Sequence, residues 1–417
     1  MENGAYQYDL VRRLSFSRYG GTEGEKKAAG LLLEEIERLG GRGEEMTFTI
    51  PAFETNCCKA EVTAPFHREI EVVPYGMAGS LPEGGAELKL YYAERGVEED
   101  YVGVDDLSGA AVLLDSLSVD AYKLLCRKKA AAFLTIQGKW YDSAETHDLI
   151  PRALRPKHLE YGKVPGFALR ACDATELLRD GAETLRLQLR TTEGEAVSRN
   201  VLATIPGTVC PEESIVVTAH YDSVLVGTGS WDNATGAATL MYLYRHFLAH
   251  PPRRTLRFVW CGSEEQGLYG SKAYVEQKAE ELEQIKFCFN FDMCGTVLGH
   301  NKVCVTGSDE LKTFAEQFCH ETGVSADVFK RVHSSDSAPF CDKGIPALGI
   351  SRGTPSAEIH TRHDLLFPLS AQALAITGDF AAAMMERVVN AVILPVKTGM
   401  PDDVKEELDK YFQRDKQ

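Results

Sequence analysis

From residue 200 onward the chain alternates between short, nearly continuous apolar runs and longer stretches with an apolar residue every three or four positions. The runs predict strands at 201–205, 215–219, 255–260, 286–291, 302–306 and 346–350, and the longer stretches predict helices at 234–249, 272–283, 308–321 and 371–391. A strand that is apolar at every position is covered on both faces, and strand–helix alternation builds a mainly parallel sheet between two helical layers. Nearer the start, 22–39 reads as a helix: Thr22 caps it, Ala28, Leu31, Leu32, Ile36 and Leu39 share one face, and Gly40-Gly41 ends it. Residues 46–53 then alternate like a strand. Between 58 and 190 the character changes. Strands are expected at 87–92, 110–114, 130–136 and 185–191, helices at 120–128 and 174–179, and an exposed polar loop between Gly138 and Val164. The tail 401–417 is charged and amphipathic and reads as a solvated surface helix. The predicted fold is a three-layer α/β/α sandwich with a mainly parallel central sheet over 1–57 and 190–417, plus a smaller inserted α+β domain over 58–189.

Composition narrows the function. A hydrophobic share of 44% and a charged share of 25% are ordinary for a globular chain. The net charge of −16 argues against nucleic acid as a partner, because a phosphate backbone calls for a basic footprint. No apolar run is long enough for a membrane span, and the opening MENGAYQYDLVRRL has no basic segment followed by an apolar one, so neither membrane nor secretory leader is expected. The eleven cysteines are odd in number, irregular in spacing and free of any CxxC, which fits reduced thiols in a cytoplasmic protein and not a thiolate zinc site.

Candidate chemistry gathers where the predicted strands end. The 215–219 strand runs into His220 and Asp222, and Asp232 precedes the next helix. That stretch alone fits either half of a metal site or an ordinary strand–loop–helix with a surface His and an N-capping Asp. The following strands lead to Glu264-Glu265, to Asp292 and, after 346–350, to His360. Six metal-capable groups, His220, Asp232, Glu264, Glu265, Asp292 and His360, would thus share one edge of one sheet, and each buried unpaired carboxylate costs several kcal/mol unless a cation relieves it. Imidazole and carboxylate without thiolate suit zinc, with cobalt or manganese as alternatives. Two His and three carboxylates suit two divalent ions sharing one carboxylate. Asp232, Glu265 and Asp292 then leave room for one hydroxide in the charge balance, and Glu264 stays free to carry a proton.

The motifs HYDS at 220–223, GSWDNATG at 229–236, SEEQGLYGS at 263–271, FDMCG at 291–295, SDSAPF at 335–340 and IHTRHD at 359–364 give the chain its resemblance to a known group. It resembles the co-catalytic two-zinc aminopeptidases of the leucyl aminopeptidase and aminopeptidase Y type, relatives of glutamate carboxypeptidase and the transferrin receptor. The likeness implies two bound zinc ions. His220 and Asp292 would hold one, Glu265 and His360 the other, and Asp232 would bridge them. Glu264 would be the general base, and Asp222 would accept the second ring N–H of His220 and fix its tautomer. The family often has a His in the segment where this chain has Ser337, which alters the substrate contacts expected near 336–340. The 58–189 block, with VGVDDLSGAAVLLDS and VPGFALRACDATELL, resembles a protease-associated domain, which would restrict substrate size through the loop at Trp140-Tyr141.

The implied activity is hydrolysis of the N-terminal peptide bond of peptides with a free N-terminus, by a metal-bridging hydroxide and a Glu base. Alternatives are another two-zinc exopeptidase (a carboxypeptidase or dipeptidase), a glutaminyl-cyclase-like enzyme, or a receptor-like protein without catalysis. The serines near the site are not expected as nucleophiles, since no GxSxG elbow is present. Oligomeric state is left open by the sequence.

Overall fold

Four parallel strands, each apolar on both faces, set the frame of the structure, a computed structural model that describes residues 2–414. The chain forms two compact units, one of 1–50 with 197–417 and one of 51–196. The first unit is built from α1 (Glu2–Leu14), α2 (Glu23–Arg38), β1 (Gly43–Ala64), β2 (Thr184–Ile205), β3 (Cys210–His220), α3 (Thr235–Ala249), β4 (Arg254–Cys261), α4 (Tyr269–Gln277), β5 (Ile285–Phe291), β6 (His300–Thr306), α5 (Asp309–Thr322), β7 (Ala326–Lys330), α6 (Ser337–Asp342), β8 (Ala347–Gly353), α7 (Ala371–Val389) and α8 (Asp402–Tyr411). The strands β1 and β2 carry the chain between the units.

The sheet order is β7-β6-β8-β5-β3-β4-β2. Strands β4, β3, β5 and β8 are mutually parallel; β2 joins β4 antiparallel, and β6 joins β8 antiparallel. Register brings the carboxyl ends of the parallel strands level. His220 lies opposite Cys261, Thr218 opposite Asn290, and Phe291 opposite Ile350. Successive side chains point to opposite faces, so each strand feeds two cores. Ile215, Val217 and Ala219 join Phe258, Trp260, Phe287 and Phe289 beneath α1, α2, α3, α5 and α7. Val216, Val259 and Cys288 face α4, α6 and α8 on the other side. This is the three-layer α/β/α arrangement.

In the second unit, Ala86–Tyr92, Ala110–Leu114, Ala132–Gln137 and Gly166–Arg170 pair in parallel in that order, and Val73–Gly76 adds antiparallel. Helices Val119–Arg127 and Ala171–Arg179 pack on this sheet.

Several details differ from the expectation. The stretch between Gly138 and Val164 is not a plain exposed loop: it holds the short helix Pro156–Leu159 and buries Leu149, Leu154 and His158. The expected helix 272–283 is instead α4 followed by a 3-10 turn over Ala279–Gln284. Helix α8 is not simply solvated, because Val404 and Leu408 are buried with Phe340 and Cys341. The last residues of the expected tail helix, 415–417, lie outside the described residues. Helix α1 has too few apolar residues to announce itself, yet it buries Leu10, Val11 and Leu14. Gly4 allows its close approach to α7, since a Cβ there would sit 1.9 Å from the Ala371 carbonyl oxygen.

Glu35 ties α1 to α2. It is 2% exposed and accepts hydrogen bonds from Tyr6 Oη (2.6 Å), Arg38 Nε (3.0 Å) and Arg13 (3.3 Å). Burial pushes its pKa up, but these donors outweigh it and hold the carboxyl at about 2. A carboxyl of about 4.3 in the unfolded chain would gain stability above that pH and lose it as pH falls toward 2. Glu35→Gln should therefore cost about 1–2 kcal/mol at neutral pH. Melting curves should show the gap from the parent protein closing on acidification; a gap that stays constant to low pH would disprove the linkage.

Candidate metal centre

The level strand ends deliver one acid or imidazole each to a single spot. β3 ends on His220, Asp292 follows β5, and Glu264 and Glu265 stand in the turn after β4. Asp232 comes from the segment before α3, and His360 from the loop after β8. Three non-glycine residues here, Ser263, Met293 and His360, hold φ of +52°, +59° and +59°. That region is costly for residues with a Cβ, and such strain collects at functional turns.

The structure brings the five predicted ligands together in two groups that share Asp232. His220, Asp232 and Asp292 form one; Asp232, Glu265 and His360 form the other. His220 Nε2 is 3.2 Å from Asp232 Oδ1 and 3.4 Å from Asp292 Oδ1. His360 Nε2 is 3.1 Å from Asp232 Oδ2 and 2.9 Å from Glu265 Oε2. Each oxygen of Asp232 thus faces a different imidazole.

The electrostatics are those of an anion cluster. Burial pushes the His220 pKa down, but Glu264, Asp292, Asp222 and Asp232 raise it well above the usual imidazole value. His360 rises to about 11 because Asp232 and Glu265 outweigh its burial. Asp232 feels burial too, yet the two imidazoles hold its carboxyl far below normal. Burial raises Glu265 to about 7, with Asp232 adding to the rise, and pushes Glu264 well above its usual value. His220 Nδ1, Glu265 Oε1 and Asp292 Oδ1 are buried without hydrogen-bond partners. Orphaned donor atoms, two imidazoles and three carboxylates together fit a divalent cation of the zinc type.

Asp222 lies 3.5 Å from His220 Nδ1, long for a hydrogen bond. Its oxygens instead accept the backbone N–H groups of Glu264 (3.0 Å) and Glu265 (3.3 Å). Three supports go unannounced in the sequence reading. Asp364 accepts the N–H groups of Trp231 (2.7 Å) and Asp232 (3.0 Å). Asn200 accepts from Gly262 N–H and donates to Gly270 O, pinning both ends of the Glu264-Glu265 turn. Ser335 Oγ donates to Asp292 Oδ2 (2.8 Å) and accepts from Asn290. The signal for Asp364 was its place in IHTRHD. The signal for Ser335 was its place in SDSAPF, and Asn200 offers none without the topology. Asp336 and Ser337 are fully buried.

Residues 200–385 match the profile of Peptidase family M28. Aminopeptidase YwaD of Bacillus subtilis (strain 168) is 26% identical over 420 residues, covering 97% of this chain and 87% of the relative. Leupeptin-inactivating enzyme 1 of Streptomyces exfoliatus is 35% identical over 176 residues, 41% of this chain and 39% of that protein. The solved structure of BSAP, a zinc aminopeptidase from Bacillus subtilis, superposes with a TM-score of 0.78 at 23% identity, covering 96% of this chain and 98% of that one.

A cation bound here should stabilise the fold by mass action, about 2.7 kcal/mol at a hundredfold excess over Kd. Zinc added to chelator-treated protein should raise Tm and release protons, because both imidazoles are held protonated by the carboxylates until a cation replaces those protons. Calorimetry in two buffers of different ionisation enthalpy measures the release. A Tm indifferent to zinc would remove the site.

Proposed function

We propose that this chain, which carries an M28 peptidase domain over residues 200–385, is a metal-dependent aminopeptidase working with two zinc ions. The observation that carries the reading is Asp232, whose two oxygens each face one imidazole-carboxylate group. His220 and Asp292 would hold one ion, Glu265 and His360 the other, with Asp232 shared between them. Bound zinc supplies a Lewis acid for the scissile carbonyl and makes water a stronger acid.

The chain's own residues do the rest. Glu264 stands in the same turn as Glu265, and burial raises its affinity for a proton, so its carboxylate suits taking a proton from the attacking water and its carboxylic acid suits delivering it to the leaving amine. Water adds across the amide: its oxygen goes to the carbonyl carbon, the C–N bond breaks, and the proton ends on the departing nitrogen. Asp222 holds the main chain that carries the Glu264 carboxyl through that residue's amide. The surplus of buried carboxylates would attract the free α-ammonium of a peptide, which supports exopeptidase action on substrates with an open N-terminus.

Glu264→Gln should lower kcat by about 10²–10⁴-fold while zinc content stays at the parent level. Amino-acid amides and anilides should be cleaved, N-acetylated versions should not, and chelation should abolish activity until zinc or cobalt is returned. Equal turnover of blocked and free substrates would rule out the aminopeptidase reading in favour of another two-zinc peptidase.

A further inference from the structure

The segment before α2 contains an arginine that none of the metal-binding motifs includes. Arg18 is 0% exposed. Its Nε donates to Tyr221 O (2.6 Å), one terminal nitrogen to Phe16 O (2.8 Å), Thr228 O (2.7 Å) and Leu14 O, and the other to Gly229 O (2.8 Å). Its backbone joins in: Arg18 N–H donates to Ser223 Oγ (3.0 Å), and Ser223 N–H donates to Arg18 O (3.4 Å). All five side-chain bonds end on carbonyls. Among the described residues no carboxylate lies within ion-pair distance of this guanidinium.

We infer that Arg18 is a positioning residue of the metal centre, acting through the carbonyls of Tyr221, Thr228 and Gly229 to fix the loop that joins His220 to Asp232. The inference rests on the metal-centre reading above. That loop has Gly227 and Gly229 in the left-handed region, with φ of +89° and +54°, so its own backbone preferences are weak. Something must hold it open at the spacing that aims His220 and Asp232 at one point. Arg18 grips its carbonyls, while Asp364 grips the amides of Trp231 and Asp232 from the other polarity. The same guanidinium bonds to Leu14 O, on the last residue of α1, and to Phe16 O just beyond it, so the loop is fastened to the end of that helix. The terminal carbonyls of a helix favour a cation.

The segment continues to the second turn of the site. A Cβ at Gly20 would meet Ser263 Oγ at 2.1 Å and Gln266 Oε1 at 2.0 Å, so this segment packs directly against the turn that bears Glu264 and Glu265. Glu25 accepts from Ser198 Oγ (2.5 Å) and from Ser263 Oγ (3.4 Å) behind it. Residues 18–25 therefore touch both ligand-bearing loops. The planar fork explains the residue type. A lysine keeps the charge, but its three N–H donors spread from one point, whereas Tyr221, Thr228 and Gly229 are met by three separate nitrogens of the fork.

The test compares Arg18→Lys and Arg18→Met with the parent chain in two readouts that do not need activity. The first is amide hydrogen exchange of the metal-free protein over 221–232. The second is zinc affinity by competition with a chromophoric chelator. Both variants should show at least tenfold faster exchange over 221–232, with β5 and β8 unchanged. At least one zinc equivalent should bind at least tenfold more weakly, and kcat should fall with KM little altered. Parent-like exchange and zinc affinity in Arg18→Lys would overturn the inference. So would an equal rise in exchange across β5 and β8, which would make Arg18 a general support of the fold. If neither variant folds, Ser223→Ala is read in the same way: faster exchange confined to 221–232 supports the role, and no change refutes it. A parent chain that fails to bind zinc would sink the metal-centre reading, yet the exchange measurement would still decide whether Arg18 fixes the loop.

Discussion

The structure turns on negative charge gathered at the carboxyl ends of four parallel strands. Asp222, Asp232, Glu264, Glu265 and Asp292 stand there with only two imidazoles among them. Carboxylates this close and this dry repel one another and lose their hydration, so by themselves they oppose folding. The raised pKa values of His220 and His360 show one relief, protonation, and a divalent cation is the stronger one. The two apolar faces of β3, β4, β5 and β8 anchor that strained edge between two cores.

The backbone around the acids is tied down by polar groups from distant parts of the chain. Asn200 comes from β2, Arg18 from the segment after α1, Asp364 from the loop after β8, and Ser335 from the loop before α6. Each binds main-chain groups or a single carboxylate oxygen. Such contacts fix direction more than they add attraction, which is what converging ligands require.

Much of this was legible in the sequence. The nearly continuous apolar runs at 215–219 and 286–291 pointed to the central strands because a parallel sheet buries both faces of each. Those strands also located the site, since their ends must lie on one edge, and the acids immediately follow them. What stayed hidden depended on contacts across sequence. Helix α1 is polar around most of its circumference and is held by a narrow stripe at Leu10, Val11 and Leu14, too little for periodicity to report. Strand β7, Ala326–Lys330, is an edge strand with no fully buried residue, so it lacked the apolar run that marked its neighbours. The family resemblance made Asp222 a partner for His220. That its oxygens take the amides of Glu264 and Glu265 follows from β3 lying beside β4, which no local pattern states.

That placement of Asp222 bears on how the site can be dissected. One carboxylate stands beside the ring of His220 and holds the main chain of Glu264 and Glu265. Replacing it disturbs three residues together, so losses measured at Asp222, His220 and Glu264 cannot be summed as separate shares. Residues in one hydrogen-bonded group couple, and a double-mutant cycle records that coupling as non-additivity. The unit of function at this sheet edge is the connected set, and no single side chain in it owns a fixed fraction of the rate.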